Sequence, residues 1–114
     1  MAIISLTEKD FDQTIEENQF VLLDFWAEWC GPCKAFQKVI EEIAPRYPEF
    51  VFASVNIEEE KQLAEEFRIQ SVPAVMIIRE KVILYAESGA LPASALSDLL
   101  DQAKAIDPKD LMNR

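Results

Sequence analysis

The sequence predicts an α/β protein in three α/β/α layers, with a central mixed sheet of five strands flanked by four helices. Apolar runs of strand length alternate with stretches of helical period in the order βαβαβαββα, and such alternation calls for a parallel sheet layered between helices. The last two strands are separated only by Arg79-Glu80-Lys81, so they pair as a hairpin and make the sheet mixed. A length of 114 residues, half of them hydrophobic and 28% charged, suits one domain with one core.

Each element has its own signal. Ile3, Ile4 and Leu6 mark a short first strand. Thr7-Glu8-Lys9-Asp10 reads as a helix start of the capping-box kind, with Asp where Glu or Gln is commoner, and Phe11, Thr14 and Ile15 share a helical face. Phe20 to Ala27 is an almost continuous apolar run, suited to a strand buried on both faces, with Asp24 its single charge. From Cys33 onward, Phe36, Val39, Ile40, Ile43 and Tyr47 follow the spacing of a helix with one buried face, bounded by Pro45 and Pro48. Phe50 to Asn56 is a third strand, and Leu63, Ala64 and Phe67 mark a short helix after a run of glutamates. Ser71-Val72-Pro73-Ala74 breaks the chain before a fourth strand at Val75 to Ile78, and Val82 to Tyr85 is the fifth. Beyond Gly89, Leu96, Leu99, Leu100 and Ala103 belong to the last helix.

Charge and composition exclude several functions. A net charge of −10 opposes phosphate contacts, which argues against nucleic acid and anionic membranes as partners. The longest apolar run, Val72 to Ile78, is far short of the roughly 20 residues a bilayer needs. Met1-Ala2-Ile3-Ile4-Ser5 lacks the features of an export signal, so a soluble cytoplasmic protein is expected. With no histidine, the chemistry must use Cys, Asp, Glu, Lys or Tyr.

Cys30 and Cys33 stand where the second strand hands over to a helix. A structural disulfide there closes so short a loop that it contributes only about 2 kcal/mol. A closed zinc site needs four ligands, and two cysteines without histidine supply only half of them unless a second chain joins. Dithiol–disulfide exchange fits better. A sulfur at the start of a helix lies beside unpaired N–H groups and the positive end of the helix dipole, which favours the thiolate. Gly31-Pro32 allows a tight turn and presets the first helical φ, where the N–H that proline lacks is not needed. Cys30 is then the nucleophile, and Cys33, one turn into the helix, the resolving thiol.

Asp24 faces a desolvation penalty in a doubly buried strand, so it requires a raised pKa or a good partner. It is either a polar residue satisfied by local hydrogen bonds or the proton acceptor for Cys33. Strand alternation puts Trp26 on the face of Asp24. Trp29, beside Cys30, belongs at the rim of the site. Lys34 supplies a nearby positive charge, although a solvated surface lysine explains it more simply.

Through Trp29-Cys-Gly-Pro-Cys-Lys34 above all, the sequence resembles the thioredoxin family, and the match extends to Val55-Asn56-Ile57, Ile69 to Ala74 and Ser88-Gly89-Ala90-Leu91. The resemblance implies the thioredoxin fold, with residues 1–105 as its domain; Ile106-Asp107-Pro108 onward, residues 106–114, lies outside it and reads from the sequence as a poorly ordered tail. It implies reduction of disulfides in substrate proteins through a redox-active Cys30–Cys33 disulfide. No tightly bound cofactor or metal is expected, and rereduction falls to a flavin-containing, NADPH-dependent thioredoxin reductase. It further implies a cis Val72–Pro73 peptide that pairs with substrate backbone, and Gly89 beside the same groove; a monomer is expected.

Four positions depart from the best-known bacterial pattern. Ser54 stands where a lysine often lies near the buried aspartate, Lys38 replaces a proline that kinks the active-site helix, and Ala74 replaces a threonine. Arg79-Glu80-Lys81 replaces a glycine-containing hairpin turn, so another turn geometry is expected. The alternative to a general reductase is a thioredoxin-fold binding module or partner-dedicated redox protein with little general reductase activity.

Overall fold

The apolar run that begins at Phe20 lies at the middle of the sheet. The computed structural model describes residues 3–107, 109 and 110. Its elements follow in the order β1 (Ile3–Ser5), α1 (Glu8–Glu17), β2 (Phe20–Trp26), α2 (Gly31–Ile43), β3 (Phe50–Asn56), α3 (Lys61–Glu66), β4 (Ala74–Arg79), β5 (Val82–Ser88) and α4 (Ala93–Ala105). The strands are arranged β1-β3-β2-β4-β5. Both β1 and β2 run parallel to β3, whereas β4 is antiparallel to β2 and to β5. The expected mixed sheet of five strands with four helices is therefore the architecture found.

Alternation along the central strands divides the core in two. Phe20 and Leu22 of β2, Phe50 and Phe52 of β3, and Val75 and Ile77 of β4 pack with Phe36, Ile40 and Ile43 of α2 and with Leu96 and Leu100 of α4. The intervening residues, among them Val21, Leu23, Phe25, Val55 and Met76, pack with Phe11 of α1 and Leu63 of α3. By the same parity Asp24 and Trp26 point to the α2 side. Lys38 sits in an α2 that runs unbroken to Ile43, and one turn of 3-10 helix over Ala44–Arg46 then takes up Pro45.

Three local expectations are corrected. The capping box at Thr7 does not form: the Thr7 hydroxyl donates to Asp10 Oδ2 (3.1 Å) and the Asp10 N–H goes to the Thr7 carbonyl (3.2 Å), while Glu60, from the α3 side, accepts the Glu8 N–H, the first amide of the helix (2.9 Å). The β4–β5 turn keeps two residues and the positive φ that hairpin twist demands, 51° at Glu80 and 69° at Lys81, so the geometry usual for Asn-Gly is adopted here by a Glu-Lys pair. Arg79, expected in the turn, is instead the last residue of β4 and only 6% exposed. Its Nη1 donates to the carbonyls of Ala103 (2.8 Å), Lys104 (3.2 Å) and Ile106, and its guanidinium lies 4.9 Å from the centroid of the Phe20 ring. A cation there satisfies carbonyls that the end of α4 leaves unpaired and opposes the negative end of the helix dipole. Of the tail expected at 106–114, residues 108 and 111–114 lie outside those described.

Candidate active site

Because β2 and β3 are parallel, their C-terminal ends open on one edge of the sheet, where α2 begins. Ala27, Cys30 and Cys33 form a small buried cluster there, with Trp26, Ile57 and Val72 packed against it. The Ile57 N–H donates to the Trp26 carbonyl (3.0 Å), which extends the β2–β3 pairing up to the site. Ile57 carried no site signal of its own in the sequence; its place follows from ending a strand parallel to the one that leads into Cys30.

Cys30 and Cys33 are joined as a disulfide, with Cα atoms 5.3 Å apart. Exposure does not distinguish them, at 3% and 2%. Position does. Cys30 is the N-cap of α2, and its Sγ accepts the backbone N–H of Cys33 (3.1 Å), the bond that a serine or aspartate cap would make. In the reduced protein that N–H and the helix dipole favour negative charge on Cys30. Gly31 and Pro32 form the exposed first residues of the helix, as expected from its sequence. Lys34 is exposed, and Trp29 is 68% exposed, beside a core in which Trp26 is half-buried.

Asp24 is 2% exposed, and its Oδ1 has no hydrogen-bond partner. Burial alone pushes its pKa from 3.8 up to about 7. Its cross-strand neighbours are Ser54 and Val75, so no cation offsets that burial within the sheet. Of the two expectations for Asp24, a raised pKa is found and a full set of local hydrogen bonds is not. Two residues further along the same strand face, Trp26 packs on the cysteine cluster.

The Val72–Pro73 peptide is cis, and Val72 packs on the cysteine cluster. The Pro73 carbonyl accepts the Gly89 N–H (2.7 Å), which ties the two distant segments into one border of the site. Gly89 has φ +108°, a conformation L side chains rarely adopt, while a Cβ there would meet only open space. The fold thus requires glycine for its backbone, and the surface outside stays uncovered. Among the described residues, no group of three or more Cys, Asp or Glu side chains is placed to share a metal ion, and no helix is long and apolar enough to cross a membrane.

The model of the thioredoxin family matches residues 2–102. A Streptomyces coelicolor protein named "Putative thioredoxin 2" is 50% identical over 104 residues, covering 91% of this chain and 78% of its own. A thioredoxin of Buchnera aphidicola is 37% identical over 102 residues, covering 88% and 94%. Among solved structures, a mutant thioredoxin from Halobacterium salinarum superposes with a TM-score of 0.86 at 25% identity, over 94% of this chain and 95% of that one.

Proposed function

The chain belongs to the thioredoxin family and is a thiol-disulfide oxidoreductase that reduces protein disulfides by dithiol–disulfide exchange, and on that premise we propose how its residues divide the work. The Cys30 thiolate attacks one sulfur of the substrate disulfide; a mixed disulfide forms and the other substrate sulfur leaves as a thiolate. Cys33 then loses its proton and attacks Cys30 Sγ, which releases the second substrate thiolate and closes the Cys30–Cys33 disulfide. Two electrons pass to the substrate, and its two thiolates take up protons. The hydrogen bond from Cys33 N–H to Cys30 Sγ carries this assignment, since it stabilises charge on Cys30 and not on Cys33.

Asp24 accepts the Cys33 proton. A carboxyl with a pKa of about 7 is half ionised at neutral pH, so it can take a proton in one step and return it in the next. Val72, Pro73 and Gly89 border the groove in which an extended substrate segment lies, with Trp29 at its rim. Gly31 and Pro32 shape the start of the helix, and Lys34 adds a positive charge nearby. The catalytic domain is residues 1–105. A flavin-containing, NADPH-dependent thioredoxin reductase returns the electrons in the cytoplasm, and no tightly bound cofactor takes part.

Dithiothreitol-driven reduction of insulin tests the reading. Wild type should accelerate precipitation of the insulin B chain, and Cys30→Ser should abolish the acceleration. Little activity in the wild type would mean a partner-dedicated redox protein in place of a general reductase.

A further inference from the structure

Two helices begin without caps of their own. Thr7 at the start of α1 and Glu60 at the start of α3 make no side-chain capping bond to the helix they precede. Each end is completed from the other. Glu60 Oε1 accepts the Glu8 N–H in α1 (2.9 Å), and Glu8 Oε2 accepts the N–H of Gln62 in the first turn of α3 (2.9 Å). The exchange matters most to α3, whose six residues are too few to sustain a helix without tertiary support. Between β3 and α3 runs the turn that carries Ile57. Asn56 closes its near end: Oδ1 accepts the N–H groups of Glu58 (2.8 Å) and Glu59 (3.3 Å), and its carbonyl accepts those of Glu59 (3.2 Å) and Glu60 (2.9 Å). The Glu8–Glu60 exchange closes the far end. Ile57 is half-buried, packs on the cluster of Ala27, Cys30 and Cys33, and is otherwise open to solvent.

We propose that Glu8 and Glu60 are positioning residues for disulfide exchange: their reciprocal capping holds the turn that sets Ile57 against the cysteines, and Ile57 so held selects disulfides flanked by apolar side chains. The proposal rests on the assignment of Cys30 as the attacking sulfur. A substrate disulfide brought to Cys30 lays a flanking residue over Ile57. An apolar flank there removes apolar surface of both residues from water, whereas a glycine flank has little to remove. With the exchange of caps broken, the turn and α3 lose their fixed end and the Ile57 side chain loses the support behind it. The contact then has to be ordered at the moment of binding, which costs it its selectivity. Neither glutamate touches the substrate; both act through Ile57.

Formation of the mixed disulfide, read in a Cys33→Ser background so that resolution cannot follow, isolates the first attack. Two cystine peptides of one sequence differ only in the residues that flank each cysteine, leucine in one and glycine in the other. Each rate is divided by that peptide's rate with 2-mercaptoethanol, which removes differences intrinsic to the peptides. The parent protein should attack the leucine peptide about fivefold faster. Ile57→Ala and Glu8→Ala/Glu60→Ala should each bring the ratio below about twofold, and the two together should lower it no further, because both remove the same contact. Glu8→Gln/Glu60→Gln changes the net charge as much but keeps an oxygen acceptor at each position, so it should retain the preference. Equal rates for the two peptides in the parent protein, an undiminished ratio in the alanine variant, or equal loss in the glutamine variant would overturn the proposal. If the double alanine variant does not fold, as circular dichroism would report, Glu8→Ala alone carries the same expectation. Absence of an adduct with either peptide would reject the assignment of Cys30, and the proposal with it.

Discussion

Replacing Asp24 by asparagine keeps the shape of the side chain and removes its ionisable proton. Burial, with Oδ1 left unpaired, raises the carboxyl from 3.8 to about 7. At 1.36 kcal/mol for each pH unit, its ionised form is about 4 kcal/mol more costly in the fold than in the unfolded chain. Below pH 3.8 both states hold the proton. Between 3.8 and about 7 the unfolded chain releases it while the folded protein keeps it, so this group's stabilising contribution is lost as pH rises through that window and is gone above it. Asparagine has no such dependence. Urea unfolding of the oxidised proteins, followed by tryptophan fluorescence, should therefore show the stability of Asp24→Asn relative to wild type increasing by about 4 kcal/mol from pH 4 to pH 8. A difference that does not change with pH would refute the reasoning, because it would mean that the carboxylate finds a partner or water. In stopped-flow reduction of a disulfide substrate the same variant should resolve the mixed disulfide more slowly while the first attack is little changed. Equal slowing of both steps would reject the proton role.

Two further substitutions probe features remote from the cysteines. Arg79→Leu removes a charged donor from the carbonyls of Ala103, Lys104 and Ile106, and should lower stability by about 3 kcal/mol in urea unfolding at neutral pH. A loss under about 1 kcal/mol would contradict the role of Arg79 in closing α4. Lys81→Gly relieves a positive φ that costs an L residue about 1–2 kcal/mol, less the extra chain entropy of glycine, so it should stabilise the protein by about 1 kcal/mol. A thermal midpoint below that of wild type would argue against the turn geometry described.

The layers and the location of the redox pair were legible because they depend on local pattern. Phe20–Trp26 is apolar throughout except for Asp24, and this contrast marked both a central strand and an unusual carboxylate. Gly31-Pro32 announced the start of α2 in the same way. Features decided by distant partners were not legible. Arg79 sits beside Glu80 and Lys81 and looks like a solvated turn residue, yet its acceptors lie 24 to 27 positions away. Thr7 carries a good local capping signal, but its hydroxyl donates to Asp10 Oδ2, and Glu60, 52 residues from Glu8, accepts the first amide of the helix. The approach of Pro73 and Gly89 to each other came only through family resemblance, since no local period links the two segments; the structure supplies the hydrogen bond that joins them.

The assignment of the two sulfurs is tested most directly by trapping the mixed disulfide. Cys30→Ser and Cys33→Ser are each mixed with a disulfide-containing protein and resolved by non-reducing electrophoresis and mass spectrometry. Cys33→Ser should accumulate a one-to-one adduct through Cys30 that dithiothreitol reverses, and Cys30→Ser should form none. An adduct through Cys33 in the Cys30→Ser protein, at a comparable rate, would contradict the account.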